Sequence, residues 1–330
     1  MDMGYEKERA IAVHAVLEAC RLCVRVQAGL VSKETLAKKD RSPVTVADFG
    51  AQALINHILH EEFPEIPMVG EEDASRLREP EHRAVLDRVV GFVQEIRSDL
   101  TSEKVLDAID GGKHPGGSQG RHWVLDPVDG TKGFLRNEQY AVALGLIEDG
   151  KVVLGVLGCP NLPVDLDDPE AGIGCIFIAV RGGGAVQRRI GSEEETPVKT
   201  DHLHDLRSVR VCESVESGHS SHNDSTKIME LLGIRREPYR IDSQCKYAAV
   251  ARGDVSAYLR LPTGMGYEER IWDHAAGSIV VEEAGGMVTD LRGRPLDFSL
   301  GRTLRENRGV IVTNGRIHEH VLEACRAVVG

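Results

Sequence analysis

The chain has 330 residues, 41% hydrophobic and 28% charged, with a formal net charge of −12. That length is enough for one large domain or two moderate ones, each with a real core, and the composition is that of an ordinary globular protein. The acidic balance argues against nucleic-acid or membrane-surface partners, which need a basic face, and no apolar run approaches the ~20 residues of a membrane span.

The opening residues MDMGYEKERA are charged and carry neither the apolar stretch of a secretory signal nor an Arg-rich transit pattern. Seven scattered cysteines then read as reduced thiols, and a cytoplasmic location is expected. Cys20 and Cys23 form a C-x-x-C, but within a long helical pattern, where core thiols are the default reading. Apolar spacing predicts a helix over 6–30, stopped near Gly29. Pro43 is expected to end an element, and a second helix to run from Thr45 to Glu62, closed by Pro64, with Asp48 in its first turn. IPMVG predicts a short buried strand ending at Glu71, Glu72 and Asp73. Residues 80–109 read as mostly amphipathic helix, and 111–120, with its glycines and a proline, as a flexible loop.

WVL predicts a strand, and DPVDGT the turn after it. YAVALGLIEDG and KVVLGVLGCP predict a hairpin across Asp149-Gly150. The polar stretch NLPVDLDDPEAG is the expected boundary between an N-terminal α+β half, 1–160, and a C-terminal α/β half, 161–330. Beyond it, strands (GCIFIAV, VRVCESV, SAYLRL, MVTDL, GVIVT) alternate with helices near 223–233, 243–252, 271–284 and 316–328. The alternation predicts a layered α/β design without internal repeats.

Glu71, Asp126, Asp129 and Asp273 each fall at a strand end or helix start, and Asp48 at another helix start. Carboxylates converging in space repel, and some stay protonated unless cations sit between them. Hard oxygen ligands suit Mg²⁺, and two such ions about 4 Å apart can clamp a phosphoryl group during in-line displacement. Pro127 stiffens the turn, so that Asp126 and Asp129 can share a side with the Val128 carbonyl. Gly130 gives backbone freedom, its N–H and that of Thr131 could meet a phosphate oxygen, and the Thr131 hydroxyl could orient a water with Asp48 behind it. Plainer readings stand beside these: DPVDG as a simple turn, Glu71-Glu72 as a solvated edge, and Asp273 as a carboxylate at a helix start. No zinc, EF-hand, Walker or dinucleotide pattern competes.

The segments MVGEED, WVLDPVDGTKGF and IWDHAAGSIVVEEAGG, in this order, resemble the Mg²⁺-dependent, lithium-sensitive phosphatase superfamily that includes inositol monophosphatase. SPVTVADFGAQA, GHSSH, DSQCKYAAVARGDVSAYLRLP and DGTKGFLR resemble its 3'(2'),5'-bisphosphate nucleotidase branch, and the resemblance spans nearly the whole chain. It implies an αβαβα sandwich of the inositol monophosphatase/fructose-1,6-bisphosphatase type. It implies that Glu71, Asp126, the Val128 carbonyl, Asp129 and Asp273 hold up to three Mg²⁺ ions, and that Thr131 and Asp48 activate the attacking water. Glu72 lies beside the ions, and His219, Ser243, Lys246 and Arg260 line the nucleotide side of the pocket. Lys246 and Arg260 then serve as cations for a second phosphate, although an exposed helix lysine and an inter-strand ion pair are their plainer readings. The implied substrate is a small bisphosphate nucleotide, 3'-phosphoadenosine 5'-phosphate, with 3'-phosphoadenylyl sulfate as a second, and the implied role is clearing a by-product of sulfate assimilation. A monomer is expected. The rival readings are an inositol polyphosphate 1-phosphatase and a non-catalytic metal or nucleotide binder.

Overall fold

The computed structural model describes residues 4–29, 42–215, 222–262 and 266–329. In chain order it contains α1 (Glu6–Ala28), α2 (Ser42–Glu62), β1 (Met68–Gly70), α3 (Arg83–Gln94), α4 (Ser102–Asp110), β2 (Arg121–Asp129) and α5 (Thr131–Leu135). There follow β3 (Ala141–Glu148), β4 (Lys151–Pro163), β5 (Ile173–Val180), β6 (Gly184–Arg189), β7 (Glu195–Val198), β8 (Val211–Glu213), α6 (His222–Leu231) and β9 (Tyr239–Arg240). The rest is α7 (Cys245–Arg252), β10 (Ala257–Arg260), α8 (Ala275–Glu283), β11 (Met287–Thr289), β12 (Val310–Thr313) and α9 (His318–Val329).

The strands make two sheets. One has seven strands in the order β1-β2-β3-β4-β5-β6-β7, antiparallel apart from the parallel β1–β2 pair. The other has five, in the order β11-β12-β10-β8-β9. Helices α1 and α2 cover one face of the large sheet, α7 and α8 fill the space between the sheets, and α9 and α6 cover the far face of the small one. This is the five-layer αβαβα arrangement.

Strand periodicity distributes the core among these layers. On β3, Val142, Leu144 and Leu146 face α1 and α2, while Ala141 and Ala143 face α8. On β12, Val310 and Val312 join the middle layer while Ile311 joins the outer one. Alternation with both faces apolar is what a strand buried on two sides requires. The Asp149-Gly150 hairpin forms as expected, both residues with positive φ (49° and 75°).

Several expectations need correction. The large sheet continues across the predicted boundary at residue 160, because β5 pairs along β4. Pro43 opens α2 rather than closing an earlier element, as a proline in a first turn can, which puts Asp48 in the second turn. The region 80–109 is two helices with a break at 95–101, and the helix expected over 271–284 divides at His274 into a short 3-10 turn, Ile271–Asp273, and α8.

Candidate active site

The sequence DPVDGT is not simply a turn after a strand. Strand β2 runs through it to Asp129 with a bulge: Asp126 pairs with Ala143 and Asp129 with Ala141, so β2 advances one residue more than β3. Pro127 has no N–H to give the ladder, which makes the break cheap here. In a regular strand, residues three apart point to opposite faces; the extra residue returns Asp126 and Asp129 to the same side. Gly130 then turns the chain with φ 91°, a conformation glycine adopts without strain, and a Cβ there would lie 2.8 Å from the Cβ of Ser243. Thr131 starts α5.

A cleft of about 420 Å³ opens above this turn. Glu71, Asp126, Val128, Asp129, Gly130 and Thr131 line it from the large sheet's side. Ser243, Lys246, Arg260 and Asp273 line it from the other. Asp48 and Glu72 stand behind this lining. The Asp48 carboxyl is pushed well above the usual range by burial and by Glu72 and Glu71. Glu72 is raised chiefly by burial, and its backbone is clasped by Gln52, which donates to its carbonyl (2.7 Å) and accepts from its N–H (3.0 Å). His219 lies outside the described residues.

The electrostatics fit a bound cation. Asp126 is 3% exposed, and its buried Oδ1 has no hydrogen-bond partner among the described residues. Burial, then Glu71, Asp129, Asp273 and Asp48, drive its carboxyl well upward. Glu71 is pushed up to about 8 by desolvation and the charges of Asp273, Glu72 and Asp129. Asp129 rises to about 6, chiefly through burial and Asp273, restrained by Lys246, Arg260 and a hydrogen bond from the Gln244 N–H (2.6 Å). An orphaned buried oxygen amid mutually repelling carboxylates is costly unless positive charge sits among them. All-oxygen donors select a hard divalent cation.

The other wall also takes definite form. Lys246 is 4% exposed, which settles against an exposed helix lysine; its Nζ donates to the Ile241 carbonyl (3.4 Å) and lies 5.1 Å from the Tyr258 ring centre. Burial lowers its pKa while Asp129 pulls it up. Ser243 holds a positive φ of 64°, unusual outside glycine, and its hydroxyl accepts from the Cys245 N–H (3.2 Å). Arg260 is not a free cation. Its Nη2 reaches Glu269 Oε2 at 2.8 Å and Asp273 Oδ2 at 3.0 Å. Ligand atoms of Glu269, Asp273 and His274 gather within 4.8 Å of one another, and the positive group beside them is this guanidinium.

Sequence reasoning missed the residues that fix these distances. The buried Gln244 side chain donates to the Trp272 carbonyl (2.9 Å) and accepts from the Gly277 N–H (3.0 Å), tying the Asp129 turn to the segment bearing Asp273. Arg302, in a stretch that reads as surface loop, donates to the carbonyls of Gly70 (2.5 Å), Gly112 (3.3 Å) and His114 (3.1 Å), and its guanidinium lies 4.8 Å from the Trp272 ring centre. No local pattern marks either residue.

The same layered fold occurs in the inositol monophosphatase of Anabaena (Nostoc) sp. PCC 7120, with a TM-score of 0.65 at 22% identity over 98% of this chain and 97% of that one. A family model, the inositol monophosphatase family, matches residues 5–329, and the chain belongs to that family. Among curated relatives, the 3'(2'),5'-bisphosphate nucleotidase of Schizosaccharomyces pombe is 46% identical, covering 99% of this chain and 97% of its own. The 3'(2'),5'-bisphosphate nucleotidase of Emericella nidulans is 45% identical, with 99% of each chain covered.

Proposed function

We propose that the protein is a Mg²⁺-dependent 3'(2'),5'-bisphosphate nucleotidase that hydrolyses the 3'-phosphate of 3'-phosphoadenosine 5'-phosphate to give AMP and phosphate, and likewise acts on 3'-phosphoadenylyl sulfate. The observation that carries this reading is one cleft that joins a cation-seeking carboxylate cluster to a buried lysine. The near-full-length likeness to curated nucleotidases selects the substrate class. An inositol polyphosphate 1-phosphatase would share the cluster.

Glu71, Asp126, Asp129, Asp273 and the Val128 carbonyl are the ligand set. Mg²⁺ bound there supplies positive charge to the phosphoryl group and makes water more acidic. Thr131 Oγ1 takes a proton from the attacking water as its own hydroxyl proton passes to Asp48. The water oxygen bonds to phosphorus as the bond to the ribose O3' breaks, and O3' takes a proton from solvent. Gly130 and Thr131 present backbone N–H groups to the phosphoryl oxygens. Lys246, with Ser243 and His219, faces the rest of the nucleotide. Positioning and charge neutralisation carry such reactions, since phosphoryl transfer leaves little covalent work to the protein. We also place the enzyme in the cytoplasm as a monomer. No described helix is long and apolar enough to cross a membrane.

The test is phosphate release from 3'-phosphoadenosine 5'-phosphate with Mg²⁺, with EDTA, and with Mg²⁺ plus Li⁺, beside inositol 1,4-bisphosphate. Metal-dependent, lithium-inhibited release from the nucleotide is expected. Release from the inositol substrate alone would move the function to the 1-phosphatase, and no release from either would leave a binding protein.

A further inference from the structure

Arg260 and a metal ion compete for the same carboxylate. Asp273 lines the cleft beside Glu71, Asp126 and Asp129, yet its Oδ2 is held at 3.0 Å by the Arg260 guanidinium. A guanidinium cannot lose its proton, so its charge must be balanced wherever it is buried. With Asp273 as its only partner, it would keep that carboxylate turned away from any cation. Glu269 removes this conflict. It is 6% exposed, and its Oε2 lies 2.8 Å from the same Nη2.

Glu269 is itself fixed from behind. Its Oε2 is 3.2 Å from Nε2 of His274, which is 0% exposed, and Nδ1 of that ring is 2.7 Å from the hydroxyl of Tyr247, 1% exposed. An ionised carboxylate only accepts, so Nε2 carries a proton toward Glu269, while Nδ1 and the tyrosine hydroxyl share the second hydrogen bond. The Leu304 N–H donates to the Glu269 carbonyl at 2.8 Å and pins its backbone. Tyr247, His274 and Glu269 thus form a buried ladder that runs through the half-buried Arg260 to Asp273. Taken as a metal site of their own, Glu269, Asp273 and His274 would have to admit an ion beside the guanidinium, which like-charge repulsion opposes.

We infer that Glu269 is a positioning residue: it retains Arg260 as its own counter-ion, and so leaves Asp273 available to a divalent cation. The inference rests on the reading of Asp273 as a metal ligand. A merely structural Glu269 would support folding without affecting cation affinity once the protein is folded.

The experiment is isothermal titration of the full, substrate-free protein with Mg²⁺ alone, so neither turnover nor substrate identity enters. Glu269→Gln should weaken Mg²⁺ binding on the order of tenfold, the lower end of what residues supporting metal ligands contribute. Arg260→Gln should bind Mg²⁺ at least as tightly as wild type. Adding Glu269→Gln to Arg260→Gln should change nothing further, because the competitor is gone. The double variant removes the guanidinium together with Glu269, so it leaves no unpaired buried arginine and remains informative if Glu269→Gln alone fails to fold. Loss of affinity on adding Glu269→Gln to the Arg260→Gln background would overturn the inference, as would wild-type affinity in the folded single variant. Binding that depends on Asp273 but not on Glu269 refutes the inference alone. Binding untouched by Asp273→Asn refutes the ligand reading, and the inference with it.

Discussion

Replacing Arg302 with alanine tests whether the cleft depends on a contact between distant segments. Gly70, whose carbonyl Arg302 holds, precedes Glu71; Trp272, on which its guanidinium lies, precedes Asp273. One side chain therefore spaces two proposed ligands drawn from opposite walls. The substitution removes three charge-assisted hydrogen bonds and one cation–π contact. A buried hydrogen bond from a charged donor contributes roughly 1.5–3 kcal/mol. The 2.5 Å bond to Gly70 takes that value, and the two longer bonds add less. With about 0.5–1 kcal/mol for the ring contact, the loss is about 3–4 kcal/mol. An unfolding entropy of about 2.1 cal/mol/K per residue, taken over 330 residues, converts this to a fall in Tm of about 4–6 °C. Scanning calorimetry in EDTA measures that fall, and the Mg²⁺ concentration for half-maximal phosphate release should rise about tenfold in the same variant. Arg302→Lys should fall between, because an ammonium on a flexible stem cannot serve three carbonyls and a ring together. A Tm within about 1 °C of wild type, together with an unchanged Mg²⁺ requirement, would refute the reasoning.

Other perturbations probe the charge balance. Asp129 is held up at about 6 and Glu71 at about 8, whereas both ionise near 4 in the unfolded chain. Between about pH 4 and 8 the folded, metal-free protein keeps protons that the unfolded chain has released, so its stability falls as pH rises through that window. Asp129 alone contributes at most about 3 kcal/mol of this fall, while Glu71 opens to the cleft and contributes less than its shift implies. Added Mg²⁺ should therefore stabilise more at pH 8 than at pH 5, and a metal-free Tm that climbs from pH 5 to 8 would contradict the scheme. Asp126→Asn should raise the metal-free Tm by relieving repulsion while abolishing turnover; calorimetry and phosphate release on one preparation check both. Lys246→Met removes a buried cation at similar volume, so stability should change by less than about 1.5 kcal/mol while KM for the bisphosphate nucleotide rises at least tenfold. An unchanged KM would remove Lys246 from the substrate side.

Local chemistry made much of this legible and long-range pairing hid the rest. The alternation of strands and helices announces layers, and DPVDGT announces an irregularity, because proline and glycine act on the backbone where they stand. The bulge that turns Asp126 and Asp129 to one side belongs to the pairing of β2 with β3, which a single strand does not display. Strands β6 and β7 went unread because GAVQRR and ETPV, toward the edge of the large sheet, carry too few apolar residues to stand out. Strand β9 is only two residues long. Lys246 and Arg260 look alike in sequence, two cations beside apolar neighbours. Among the described residues, one enters the cleft with its charge drawn by Asp129 and other groups at a distance, while the other arrives already paired with two carboxylates. What separates them is Glu269, nine positions along the chain from Arg260. A buried charge is read correctly only together with its counter-ion, and the counter-ion is chosen by the fold.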